Sequence, residues 1–254
     1  MLTDQFDLSG KIALVTGASQ GIGKGIALGL AEYGAEVILL YHKDRKQAEG
    51  VAEEVKKNGG KAHIFSSDFS QSDAAQKLRK QLGQKKKLPD ILVVNASVQV
   101  AKDWLTMAEQ DFDFQVNTNF KSTLFLFQEF IPKMLERGWG RVLTIGSVQQ
   151  EKPHPAMIVY AATKSAVDNM VKNIAMQVAD QGVTVNNLAP GVIGTPRLDE
   201  PVPDVDERID QRMTTPMGGI GDPIDCAAMA LLLCSDAGRF ITGQNIFVDG
   251  GMSL

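Results

Sequence analysis

Seven short apolar runs recur along the chain, and the stretches between them keep a different period. They are "KIALVT" (residues 11–16), "EVILLY" (36–41), "AHIFS" (62–66), "DILVV" (90–94), "RVLTIG" (141–146), "VTVNNL" (183–188) and "NIFV" (245–248). Rich in Val, Ile and Leu on both faces, they read as strands covered by helices above and below. Between the second and third runs, Ala48, Val51, Ala52 and Val55 follow the 3.6-residue helical period, with Gly59 as a stop. Strand–helix alternation of this kind implies right-handed crossovers and a parallel sheet. The expected fold class is therefore α/β: a doubly wound, seven-stranded parallel sheet with helices on both faces. No linker, low-complexity tract or repeat divides the sequence, so residues 1–254 are read as a single domain. Its least regular stretch, 194–219, holds four prolines and many acids and reads as a substrate loop.

Composition excludes several classes. With 26 basic and 30 acidic residues and a net charge of −4, no global basic field exists to hold nucleic acid. No apolar run approaches the roughly 20 residues needed to cross a bilayer. "MLTDQFDLSGK" lacks the basic start and apolar core of a secretion signal, which points to a cytoplasmic protein. Cys226 and Cys234 fall in one expected helix and read as small core hydrophobes in a reducing compartment. Only three histidines exist and they are scattered, so no metal site is expected.

Two local patterns carry chemistry. Directly after the first strand, "TGASQGIG" places Gly17, Gly21 and Gly23 between a strand and a helix whose apolar face includes Ile22 and Ile26. Glycine permits a sharp turn and close approach to a diphosphate, and the helix N-terminus offers free N–H groups. This is the expected dinucleotide cradle of a Rossmann-like fold. Farther on, "VYAATKSAV" sets Tyr160 and Lys164 four residues apart on a helix whose stripe continues through Val167, Val171, Ala175 and Val178. That spacing stacks both side chains on one face. An ammonium beside a phenol favours the phenolate, a proton carrier usable near neutral pH.

Eight segments in order resemble the short-chain dehydrogenase/reductase family nearly end to end. They are "TGASQGIG" at Thr16, "SSDFS" around Asp68, "VNAS" at Val94, "VNTNF" ending on Phe120, "TIGS" at Thr144, "YAATK" at Tyr160, "NLAPGVIGTP" at Asn187 and "ITGQNIFVDGG" at Ile241. The resemblance implies strand order 3-2-1-4-5-6-7 and an oxidoreductase acting on CH–OH or C=O groups. Tyr160 would exchange a proton with the substrate oxygen, and Ser147, thirteen residues earlier, would hydrogen-bond that oxygen. Lys164 would tune the phenol and grip the nicotinamide ribose. Asn119, taken over Asn117 for its distance to Gly140 and Arg141, would anchor a water in a proton relay to Lys164. Two departures stand out: Val94 and Ser97 replace the first Asn and the Gly of the usual "NNAG", and Gln20 stands where Arg often precedes "GIG".

Cofactor contacts follow from the same resemblance. Ser19, Gln20 and Ile22 join the three glycines of the cradle; Asn95, Ala96 and Ser97 follow the fourth strand; Pro190, Gly191, Ile193 and Thr195 follow the sixth. Tyr160 and Lys164 contribute too, and Asp68, with Phe69 beside it, resembles the residue that contacts the adenine amino group. At the end of the second strand Tyr41 stands where an acid would select NAD, with His42, Lys43 and Arg45 nearby. Missing acid and adjacent bases favour NADP(H), with NAD(H) left open. The polar "SVQQEKPHPAM" places Gln149, Gln150 and His154 near the pocket and suggests a small hydroxylated substrate: a sugar, polyol or aldonate. Alternatives are a 3-oxoacyl-thioester reductase and a non-catalytic nucleotide sensor. Family members are commonly homotetramers or homodimers, and the apolar C-terminal segment could form such an interface.

Overall fold

The computed structural model describes residues 1–204, 206–207 and 214–254. Its strands are β1 (Ile12–Val15), β2 (Glu36–Tyr41), β3 (Lys61–Ser66), β4 (Ile91–Val94), β5 (Gly140–Ile145), β6 (Val183–Pro190) and β7 (Asn245–Val248). All six pairings are parallel, in the order β3-β2-β1-β4-β5-β6-β7. Strand β6 continues two residues past its expected end because Ala189 and Pro190 still pair with Phe247 and Val248.

The sheet separates two cores by simple alternation. Ala13, Val15, Val37, Leu39, Ile91 and Val93 face one side, where they meet α1 (Gly21–Glu32), α2 (Arg45–Lys57) and α7 (Pro223–Cys234). Leu14, Ile38, Leu40, Leu92 and Val142 face the other and meet α3 (Ala74–Gln84), α5 (Ser122–Arg137) and α6 (Ile158–Val178). Burying each large aliphatic side chain contributes roughly 1.5–3 kcal/mol, so a one-residue register slip would turn both cores inside out. Cys226 and Cys234 lie wholly inside the first core, where burial pushes both thiols up to about 12.

Two features position the site. Strand β1 pairs with both β2 and β4, so consecutive strands diverge there and open a crevice at their C-terminal ends. On the second face α4 (Glu109–Gln115) runs into α5 through a π-helical stretch, Val116–Lys121. The widened turn frees backbone carbonyls, and two hydroxyls cap them: Ser122 Oγ donates to Thr118 O at 2.6 Å and Thr123 Oγ1 to Asn119 O at 2.8 Å. Of the expected substrate loop, residues 205 and 208–213 lie outside the described residues. Its base is closed by a bridge between Ile193 and Gly221, with Gly194 N donating to Gly221 O and Gly221 N to Val192 O. Among the described residues no helix is long and apolar enough to cross a membrane.

Candidate active site

At the β1–α1 turn, Gly17 and Gly21 adopt φ values of +63° and +55°, which a side chain would strain. Gly23 has a different reason: a Cβ there would sit 2.3 Å from Gly17 O and 2.4 Å from Asn95 Nδ2. Asn95 holds the turn closed, its Nδ2 donating to Thr16 O and Gly17 O at 3.0 Å each. Thr16 Oγ1 accepts in return from Asn95 N and Ala96 N. The N-cap Gln20 makes no side-chain cap bond to the first turn of α1, so the N–H groups of Gly21, Ile22 and Gly23 keep their capacity for an anion. Thr195 arrives from the far side of the crevice, with Cγ2 3.2 Å from where a Gly21 Cβ would be. Turn, Asn95–Ala96 and the segment after β6 thus form one concave surface, whose bare backbone suits a dinucleotide diphosphate.

At the β2 end, His42 Nε2 lies 3.6 Å from Asp68 Oδ2, which brings two of the expected cofactor residues together. Asp68 is held below the usual carboxylate range, chiefly by the Ser70 hydroxyl, which donates to its Oδ1 at 2.7 Å. Tyr41 is half-buried and Lys43 exposed. Arg45 turns to Glu49 at 2.8 Å, and Asp44 caps α2 by accepting from Gln47 N. The side chains of Phe69 and Ile193, expected at the cofactor, belong to the cores, which leaves only their backbone to face the crevice.

Ser147 lies two residues past the end of β5 and caps the short turn Val148–Gln150, which packs on α6. On α6, Tyr160 and Lys164 are 6% and 5% exposed, and Lys164 Nζ lies 5.4 Å from the Tyr160 ring centroid. The expected shared face is realised. Among the described residues the Tyr160 hydroxyl takes part in no hydrogen bond. Lys164 donates to Ile145 O at 2.6 Å and pairs with no carboxylate among them. Burial, and secondarily the charge of Arg197, pulls its ammonium down from the usual 10.5 to about 7.

Asn119 sits in the π-helical stretch, and its side chain is fully engaged elsewhere. Its Oδ1 accepts from Val98 N, and its Nδ2 donates to Val98 O and to Thr163 Oγ1. Thr163 Oγ1 in turn donates to Tyr160 O at 2.7 Å. Asn119 therefore ties the segment after β4 to the helix carrying Tyr160, and only its carbonyl, shared with Thr123, is left to hold a water. Gln150 does not line the pocket: its Oε1 accepts from Ser147 N and Asn187 Nδ2, bracing the turn. Gln149 Oε1 accepts from His154 N at 2.9 Å, which fixes the polar wall beside Ser147. Sequence reasoning missed Arg197, on the turn Pro196–Asp199, whose guanidinium donates to Ser97 Oγ and Ser97 O. The departure at Ser97 was the only signal for it.

A doubly wound sheet with a glycine cradle at its switch point and a buried Tyr–Lys pair beside a serine defines a nucleotide-dependent oxidoreductase class. The sequence profile described as enoyl-(acyl carrier protein) reductase matches residues 17–253. The chain is 34% identical over 246 residues to a 3-oxoacyl-[acyl-carrier-protein] reductase of Staphylococcus aureus, covering 96% of this chain and 98% of that one. A 3-oxoacyl (acyl-carrier-protein) reductase structure from Agrobacterium tumefaciens, with NADP bound, superposes with TM-score 0.90 at 37% identity, covering 99% and 97% of the two chains. A gluconate 5-dehydrogenase from Burkholderia cenocepacia, in complex with NADP and tartrate, superposes with TM-score 0.88 at 30% identity, covering 100% and 99%. The chain belongs to the short-chain dehydrogenase/reductase family and is an oxidoreductase acting on keto or hydroxyl groups.

Proposed function

We propose that the protein moves hydride between NADP(H) and the secondary alcohol or ketone of a small polar substrate, a sugar, polyol or aldonate. The observation that carries this reading is the buried Tyr160–Lys164 pair: a cation 5.4 Å from a phenol ring, with no carboxylate competing for it among the described residues. A bound nicotinamide dinucleotide supplies or accepts the hydride at the substrate carbon. Tyr160 gives its hydroxyl proton to the substrate oxygen in reduction and takes it back in oxidation. Ser147 Oγ donates a hydrogen bond to the same oxygen and offsets the charge that develops there. Lys164, when protonated, stabilises the phenolate and presents its ammonium to the ribose.

Support for NADP(H) comes from the adenine end, where no acid ends β2 and His42 and Lys43 are exposed, and from the NADP in the two neighbouring structures. Arg45, paired with Glu49, adds less than its position suggests. The fixed polar wall of Gln149 and His154 supports a hydroxylated substrate. The names of the Staphylococcus and Agrobacterium relatives favour a second reading, reduction of a 3-oxoacyl thioester. Following nicotinamide absorbance with D-gluconate, D-glucitol and acetoacetyl-N-acetylcysteamine separates the two. The first reading expects kcat/KM for a hydroxylated compound at least tenfold above the thioester, and the opposite order overturns it.

A further inference from the structure

Arg197 carries a charge that the chemistry above does not use. Its Nη1 is 3.2 Å from Ser97 Oγ and its Nη2 2.8 Å from Ser97 O, both neutral acceptors. Among the described residues no carboxylate pairs with it, nor with Lys164, whose protonation its charge opposes. Two cationic side chains therefore bear on one part of the crevice with no carboxylate among the described residues between them, and a ligand that brings negative charge would relieve their repulsion.

The aim of Arg197 is also fixed. Ser97 adjoins Val98, which is clamped at both its N–H and its carbonyl by Asn119, and Asn119 reaches Thr163 one turn along α6 from Tyr160. The guanidinium is thus indexed to the helix that carries the phenol. With five N–H donors, two of them on Ser97, it keeps further donors for a planar acceptor. A glycine at position 97, the usual family residue, would offer Nη1 no hydroxyl.

We propose that Arg197, oriented by Ser97, is the specificity-determining residue that receives a carboxylate of the substrate, so that the enzyme takes hydroxy or oxo acids ahead of neutral polyols and thioesters. This rests on the hydride-transfer reading and narrows its substrate class.

The test measures kcat and KM on the full chain for two pairs that differ in the carboxylate: D-gluconate beside D-glucitol, and D-3-hydroxybutyrate beside its N-acetylcysteamine thioester. Wild type, Arg197→Leu and Arg197→Lys are compared, with the NADPH dissociation constant read by fluorescence. Arg197→Leu should raise KM for the preferred acid about 30- to 100-fold, as loss of a charge-assisted bond does. The neutral compounds should stay within about threefold and NADPH within about twofold, on the same scale. Arg197→Lys, which keeps the charge without the fork, should fall between. Preference for the neutral members, equal loss on all four, or a parallel loss of NADPH affinity each overturns the proposal. A melting-temperature rise of the NADPH-bound protein with gluconate or hydroxybutyrate, absent with the neutral partners and in Arg197→Leu, reads the same site without turnover. Acid binding without turnover keeps this proposal and removes the hydride-transfer reading. Tyr160-dependent turnover that ignores Arg197→Leu removes this proposal alone.

Discussion

Strand β5 has a buried cation at each end, and the fold provides for the two in opposite ways. At the N-terminal end Arg141 is 3% exposed and fully partnered. Its Nε donates to Ser235 O, its Nη1 to Gly140 O and Gly182 O, and its Nη2 to Asp236 Oδ1, while the Trp139 ring stacks 4.4 Å away. At the C-terminal end Lys164 is 5% exposed and, among the described residues, has the Ile145 carbonyl alone. Burial lowers the proton affinity of both, but Asp236 opposes the effect at Arg141 while Arg197 reinforces it at Lys164. A cation meant to hold strands is given its anion within the chain. A cation held without one is poised for groups that arrive from outside.

Replacing each in turn sharpens the contrast. Lys164→Met should lower kcat/KM about a thousandfold, the scale of losing a tuned acid–base group, while the chain stays folded by circular dichroism. Arg141→Met should do the reverse: about 3 kcal/mol lost in urea unfolding, because carbonyls and Asp236 lose their donor, with kcat changed less than about threefold. If Lys164→Met unfolded the protein and Arg141→Met merely slowed it, the comparison would be broken. Asn95→Ala removes two bonds that close the cradle, and should raise the cofactor KM about tenfold and cost roughly 1–2 kcal/mol.

A further contrast lies in pH. A lysine lowered from 10.5 to about 7 by folding carries a cost on the order of 5 kcal/mol when protonated. Between these values the unfolded chain binds the proton that the folded one sheds, so stability rises with pH across that window, and below 7 the cost is complete. Lys164→Met removes the cost and also the bond to Ile145 O. The variant, free of cofactor, should therefore be about 1–3 kcal/mol more stable than wild type at pH 6, with the gain nearly gone at pH 9. A gain that grew toward pH 9 would mean that Lys164 is not desolvated.

Much of the fold was legible because its signals are local. Both-face apolar runs such as "EVILLY" and "NIFV" marked strands to the residue, while which side chains face which core came from the structure. Spacing alone put Tyr160 and Lys164 on one helix face, while their catalytic reading needed the resemblance to the family, and the glycines were legible by the turn that needs them. What escaped notice depends on backbone atoms or distant pairs. The carbonyl of Ile145 has no letter in a sequence, although it holds Lys164. Arg197 and Ser97 meet across a hundred residues, without any period to announce them. Gln150 was expected at the pocket from the polarity of its segment, yet a neighbouring strand's Asn187 and the Ser147 N–H claim its oxygen first. Asn119 was expected to anchor a water in a relay to Lys164, and what the sequence did not announce is the π-helical turn in which it sits and the engagement of its side chain with Val98.

The most direct measurement is a single-turnover rate for Tyr160→Phe with cofactor saturating, beside the NADPH dissociation constant of the same variant. If the phenol moves the proton, the rate falls about a thousandfold while cofactor affinity holds within about threefold. A rate within tenfold of wild type would contradict the account, because proton transfer would then have to run through some other group.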